Sequence, residues 1–112
     1  MIYLENKNGS EDIMVFLANR KAGAKASAAA AKEKGGDAML SYYHFAAKDK
    51  PYADIIRSMK QDGLKSTLKL CKQQYKNLMS NVDLDMSQKD YQRVVGEIEV
   101  FGECYIRLQK EI

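Results

Sequence analysis

The sequence predicts an all-α fold, a small antiparallel bundle of about four helices, and three observations carry that prediction. Alanine is abundant and β-branched residues are few, a composition that favours helix over strand. The C-terminal stretch places Tyr91, Val94, Ile98, Phe101, Tyr105, Leu108 and Ile112 at steps of 3, 4, 3, 4, 3 and 4, an unbroken apolar stripe on a helix. The breaks between periodic stretches are short, which sets consecutive helices antiparallel. A chain of 112 residues is expected to form a single domain over 1–112, with a core that needs neither metal nor disulfide.

The first helix is expected over 10–34. Asn6, Asn8 and Gly9 read as turn formers in a short lead, and Ser10 offers an N-cap followed by Glu11 and Asp12, which suit the positive helix end. Ile13, Phe16, Leu17, Arg20, Ala24, Ala28 and Ala31 trace one side. Its second half is almost all small residues, which lets a neighbouring helix pack close, while Lys21, Lys25 and Lys32 keep the exterior polar. Gly35-Gly36-Asp37 closes this helix and caps the next.

A short second helix is expected over 37–49, carrying Met39, Tyr42, Tyr43, Phe45 and Ala46. Pro51 reads as the opening of a third helix, since proline fits a first turn. That helix spans 52–80 with a kink or a break at Gly63, where the apolar register slips by five between Met59 and Leu64. Leu64, Leu68, Cys71, Tyr75 and Leu78 then resume a regular stripe. The fourth helix is expected over 87–112, with Ser87 as N-cap and Asp90 completing a capping-box-like pair. Burying its stripe yields roughly 10–20 kcal/mol gross, less than the roughly 1–2 kcal/mol per residue needed to order its backbone. It must therefore dock on other helices. Gly96 and Gly102 in its interior are either tolerated at a cost of about 1 kcal/mol each or mark close approach of a neighbour.

Met1 to Glu5 lacks the basic and long apolar segments of a secretory leader, and no apolar run approaches the roughly 20 residues of a membrane span. A hairpin turning near Asp83 sets Cys71 opposite Val95 and out of reach of Cys104. Two free thiols and a reducing, cytoplasmic setting are therefore expected.

Chemistry is sparse. One histidine, His44, excludes two-histidine metal motifs, and neither a phosphate-binding glycine loop nor a nucleophile elbow occurs. Asn81, Asp83 and Asp85 alternate like the start of a calcium loop, but Met86 stands where its glycine belongs and Gln92 where its bidentate glutamate belongs. Glu97, Glu99 and Glu103 read as a solvated acidic face. No catalytic set, cofactor, metal site or small-molecule substrate is expected, and the chain reads as non-enzymatic.

Two surface patterns remain. Lys65, Lys69, Lys72 and Lys76 step by 4, 3 and 4 and draw a basic line about 100° from the apolar stripe of their helix. Such a line reads as an ordinary solvated face, paired with Glu97 and Glu103 across the hairpin, or as a contact for an acidic protein surface or a phosphate backbone. Tyr42, Tyr43 and Tyr52 crowd around the second helix, and the seven tyrosines without a tryptophan read as core packing with solvated hydroxyls or, alternatively, as a contact patch or a stacking platform. The last helix is longer than the 64–80 stretch beside it. Tyr105, Leu108 and Ile112 must then be covered by the first half of the chain or by a second copy, and a homo-oligomer interface is expected there. The expected function is a small protein-interaction module, an adaptor or inhibitor such as a phage-type inhibitor of a host complex. The alternative is nucleic-acid binding through the lysine line.

Overall fold

The computed structural model describes residues 2–34 and 38–111, with side chains from Asp12 to Glu33 and from Ala38 to Glu111. Its helices are α1 (Ile2–Lys34), α2 (Ala38–Gln61), α3 (Leu64–Ser80) and α4 (Gln88–Gln109), with no strand among the described residues. The all-α class and the number of helices match the sequence reading, while the division of the chain differs in two places.

Helix α1 begins at Ile2 rather than at Ser10. Nucleation is the costly step in helix formation, so a helix secured further along can propagate back through weak formers such as Asn8 and Gly9. The Gly35-Gly36-Asp37 corner lies outside the described residues. The second difference is Pro51, which sits inside α2 and does not open a helix. Proline leaves the carbonyl four residues back without its N–H partner. That loss is offset because Pro51 is itself buried, together with Tyr52 and Ile55 on the next turn.

The break falls at Gly63 and separates α2 from α3. Gly63 has φ 89° and ψ 177°, a region essentially reserved for glycine. The corner is densely hydrogen-bonded. Asp62 and Gly63 both donate their N–H to the Ser58 carbonyl, at 2.7 and 3.2 Å. The Gly63 carbonyl accepts from the Thr67 N–H at 3.1 Å and from its hydroxyl at 2.8 Å. The buried Ser58 and Thr67 hydroxyls share a further bond of 2.7 Å.

Helix α4 starts as expected, with the Ser87 side chain accepting the Asp90 N–H at 3.1 Å. Asp83 Oδ1 accepts the Asp85 N–H at 3.1 Å, so the Asn81–Asp85 alternation serves a turn. One core draws on all the helices: Ile13, Leu17 and Ala24 from α1, Tyr52 and Ile55 from α2, Cys71 from α3, and Val100, Phe101, Cys104 and Leu108 from α4. Ala24, Ala28 and Ala31 are buried where α1 lies along α2, as the small-residue stripe predicts.

The far end of α4 is covered from within the chain. Leu108 is 0% exposed in the cluster with Ile13 and Leu17, and the Arg107 guanidinium lies 5.3 Å from the centre of the Phe16 ring. The first half of the chain thus covers Leu108.

Candidate functional site

Helix α4 is the shared wall between two seams of different character. Toward α2 it presents Gly96, Glu99, Val100 and Glu103. A Cβ on Gly96 would overlap the His44 carbonyl oxygen and press on the Ala47 Cβ at 3.2 Å, so two backbones meet here with no room between them. Glu99 Oε2 lies 3.1 Å from His44 Nε2 and 2.8 Å from Lys48 Nζ, within ion-pair distance of both. One turn on, Glu103 holds Arg20 of α1 at 2.8 Å and accepts the Tyr52 hydroxyl at 3.4 Å. Burial, then the Glu103 charge, raises the Tyr52 pKa, so this hydroxyl remains a donor. Glu99 and Glu103 are therefore inter-helix ties and not the solvated acidic face that their spacing suggested.

Toward α3 the same helix presents Gly102, Tyr105 and Ile106. The Tyr75 ring lies against Gly102, where a Cβ would stand 3.1 Å from it. Both glycines therefore mark close approach, Gly96 to backbone and Gly102 to an aromatic ring. This register also corrects the hairpin pairing. A turn at Asp83 would set Tyr75 opposite Tyr91, but it faces Gly102, because α3 ends five residues after Tyr75 while α4 begins fourteen residues before Gly102, so α4 runs past the end of α3. The shift brings Cys71 close enough to help raise the Cys104 pKa, though both thiols are free and buried. Burial pushes the Cys71 thiol up to about 12 and is also the main cause of the rise at Cys104.

Along this second seam runs a groove of about 360 Å³ lined by Lys72, Tyr75, Lys76, Gly102, Tyr105 and Ile106. Its floor is apolar and its α3 rim is cationic. Lys65, Lys69, Lys72 and Lys76 are all exposed, and none of them meets a carboxylate within ion-pair distance among the described residues. Their suggested partners lie elsewhere: Glu103 is held by Arg20, and Glu97 lines a different hollow with Lys50 and Pro51. Burial raises the Glu97 pKa there, against the pull of Arg93 and Lys50.

The apolar surface continues past the groove. Tyr75, Met79, Val82, Leu84, Tyr91 and Ile106 are all exposed, and Leu84 entirely so. At 100° per residue Tyr91, Gly102 and Ile106 fall within about 60° of one another on α4. The surface is thus a single face of the α3–α4 hairpin, running from the loop to the groove. Val82, Leu84, Met86 and Tyr91 surround a second hollow of about 280 Å³ at the loop end.

The tyrosine patch does not assemble. Tyr42 and Tyr43 are half-buried, edge to face with centroids 5.4 Å apart, and are covered by Lys32 at 5.7 Å and Lys89 at 4.8 Å. Tyr52 is 3% exposed and belongs to the core. Of the residues expected at an oligomer interface, Leu108 is buried within the chain, Tyr105 is half-buried in the groove, and Ile112 lies outside the described residues. Sequence reasoning singled out the lysine line but missed Met79, Leu84 and Ile106. Two signals were present: Leu84 is an apolar residue between two aspartates, and Ile106 adjoins the stripe without belonging to it.

No protein family, curated protein or solved structure matches this chain. No described helix is long and apolar enough to cross a membrane.

Proposed function

We propose that this chain is a non-enzymatic interaction module, an adaptor or inhibitor working in a reducing compartment, and that it docks a protein segment on the open face of the α3–α4 hairpin. The observation that carries this reading is the groove itself, an apolar floor of Tyr75, Gly102, Tyr105 and Ile106 beside the cations of Lys72 and Lys76, which have no ion-pair partner among the described residues. An interface of this kind takes an apolar anchor into its centre and sets charge at its rim. The matching partner presents a bulky apolar side chain flanked by carboxylates.

The test is affinity capture with the tagged full chain, comparing wild type with Ile106→Glu and with Val15→Glu. Val15 is exposed on α1, away from the groove, and serves as the control. A partner captured by wild type and Val15→Glu but lost with Ile106→Glu supports the reading; equal capture by all three overturns it.

The lysine line favours a second reading, because four exposed lysines on one helix face, without an ion-pair partner among the described residues, can follow a phosphate backbone. It predicts salt-dependent binding to duplex or single-stranded probes. That binding falls with Lys69→Glu/Lys72→Glu and is unmoved by the uncharged substitution Ile106→Ser. Failure of both probes to bind at low salt removes it.

A further inference from the structure

We infer that the segment docked in the groove belongs to a second copy of this chain, and that two α3–α4 hairpins pack antiparallel, each inserting its 81–87 loop into the groove of the other. This rests on the reading of the groove as a docking surface and names its occupant. The groove asks for an apolar anchor flanked by carboxylates, and the chain carries one. Leu84 is fully exposed at the loop tip, between Asp83 and Asp85. Both aspartates are exposed, and neither is in an ion pair among the described residues.

Geometry favours a closed pair over an open chain. Tip and groove lie on one face of one hairpin, about 16 Å apart along α4, from the rise between Tyr91 and Gly102. A two-fold axis lying in the plane between the two faces, at right angles to α4 and midway between tip and groove, carries each tip onto the partner's groove and the reverse. Both contacts form at once and the assembly closes as an isologous dimer. Met79, which is 50% exposed and lies between the two sites, falls near the axis and meets its own copy. Tyr75, Val82, Tyr91 and Ile106 are covered in the same step. Each groove lysine pair meets an aspartate pair, so charge is complementary at both ends and like charge meets nowhere.

The test is sedimentation equilibrium on the full chain across a concentration series, with circular dichroism to confirm the fold of each variant. Wild type is expected to dimerise. Leu84→Ser and Ile106→Glu weaken the dimer about tenfold or more, as loss of a central anchor does. Two charge variants give the sharper result. Lys72→Glu/Lys76→Glu makes the groove acidic opposite an acidic tip, and Asp83→Asn/Asp85→Lys makes the tip basic opposite a basic groove while keeping an acceptor for the turn. Each is expected to be monomeric alone. Mixed in equal amounts they form a heterodimer, because each then offers the charge that the other's two sites require.

A monomeric wild type at the highest concentration overturns the inference, as does a dimer indifferent to these substitutions or a mixture that fails to pair. Loss of capture by Ile106→Glu alongside a monomeric wild type rejects the second copy as occupant and leaves the docking reading standing. Indifferent capture together with a monomeric wild type removes both.

Discussion

The two seams of α4 are built from the same kind of residue and end in opposite states. On the α2 side, Gly96 lets backbone meet backbone, and the carboxylates beside it are tied to His44, Lys48, Arg20 and Tyr52. On the α3 side, Gly102 meets only the ring of Tyr75, the nearby lysines have no carboxylate in ion-pair distance among the described residues, and apolar side chains stand in solvent. One seam is finished within the chain and the other is left open. Exposed apolar area beside unpaired charge is a poor investment for a monomer, and its concentration on one hairpin gives that seam the character of a surface built for contact.

The comparison breaks first at Gly96. Gly96→Ala forces a methyl into the His44 carbonyl, and neither helix backbone can yield without disturbing the Glu99 and Glu103 ties. Overpacking of this kind costs about 1–3 kcal/mol, and contact with backbone places it at the upper end. Thermal unfolding should fall by about 4–8 °C for each kcal/mol lost in a domain near this size. An unchanged melting temperature would mean that the α2–α4 seam is slacker than its geometry states.

Alkali probes the core that both seams share. An acid whose folded pKa lies above its unfolded value keeps its proton in the fold, while the unfolded chain gives it up. For Cys71, with an ordinary value of 9.0 and a folded value of about 12, stability is intact below pH 9 and falls as pH rises from 9 toward 12. The slope approaches about 1.4 kcal/mol per pH unit for one such group. Urea unfolding at pH 8, 9 and 10 measures it, and Cys71→Ala should flatten the slope. The same burial predicts that a thiol reagent leaves the native protein unlabelled and reacts on unfolding.

The open seam should be far more tolerant. Ile106 is 59% exposed, so Ile106→Glu is expected to alter stability by no more than about 0.5 kcal/mol in the monomer, the usual range for surface substitutions. A larger loss, measured by urea unfolding at a concentration where the chain is monomeric, would show that Ile106 serves the fold rather than the contact.

How much of this was legible in the sequence follows from range. The Ile13-to-Ala31 side of α1 and the Ser87 cap are set by neighbours a turn away, and both could be read directly. Gly63 was legible too, because a slipped apolar register and a glycine coincide there. Pro51 misled: its local chemistry argues for a helix start, and only the burial of Pro51, Tyr52 and Ile55 against distant helices carries α2 through it. The lysine line was visible as a pattern, but its freedom from carboxylates among the described residues depends on Arg20 of α1 taking Glu103 of α4. The groove needs the offset between α3 and α4, which no local rule sets. A turn centred on Asp83 gives a different register and hides both the groove and the neighbouring thiols.

Gly102 offers the finest test of the difference between the seams. Alanine there gains about 1 kcal/mol in helix propensity over glycine. The added methyl would stand 3.1 and 3.3 Å from two atoms of the Tyr75 ring, tighter than ordinary van der Waals contact. A ring at the edge of an open groove can tilt by the few tenths of an ångström required, whereas the backbone facing Gly96 cannot. Gly102→Ala should therefore leave the unfolding midpoint close to wild type, with the propensity gain and the ring displacement nearly cancelling. The tilt narrows the groove, so dimer affinity should fall even though stability does not. If Gly102→Ala destabilised the chain as much as Gly96→Ala, the Tyr75 ring would be locked in place, and the two seams would differ in composition but not in rigidity.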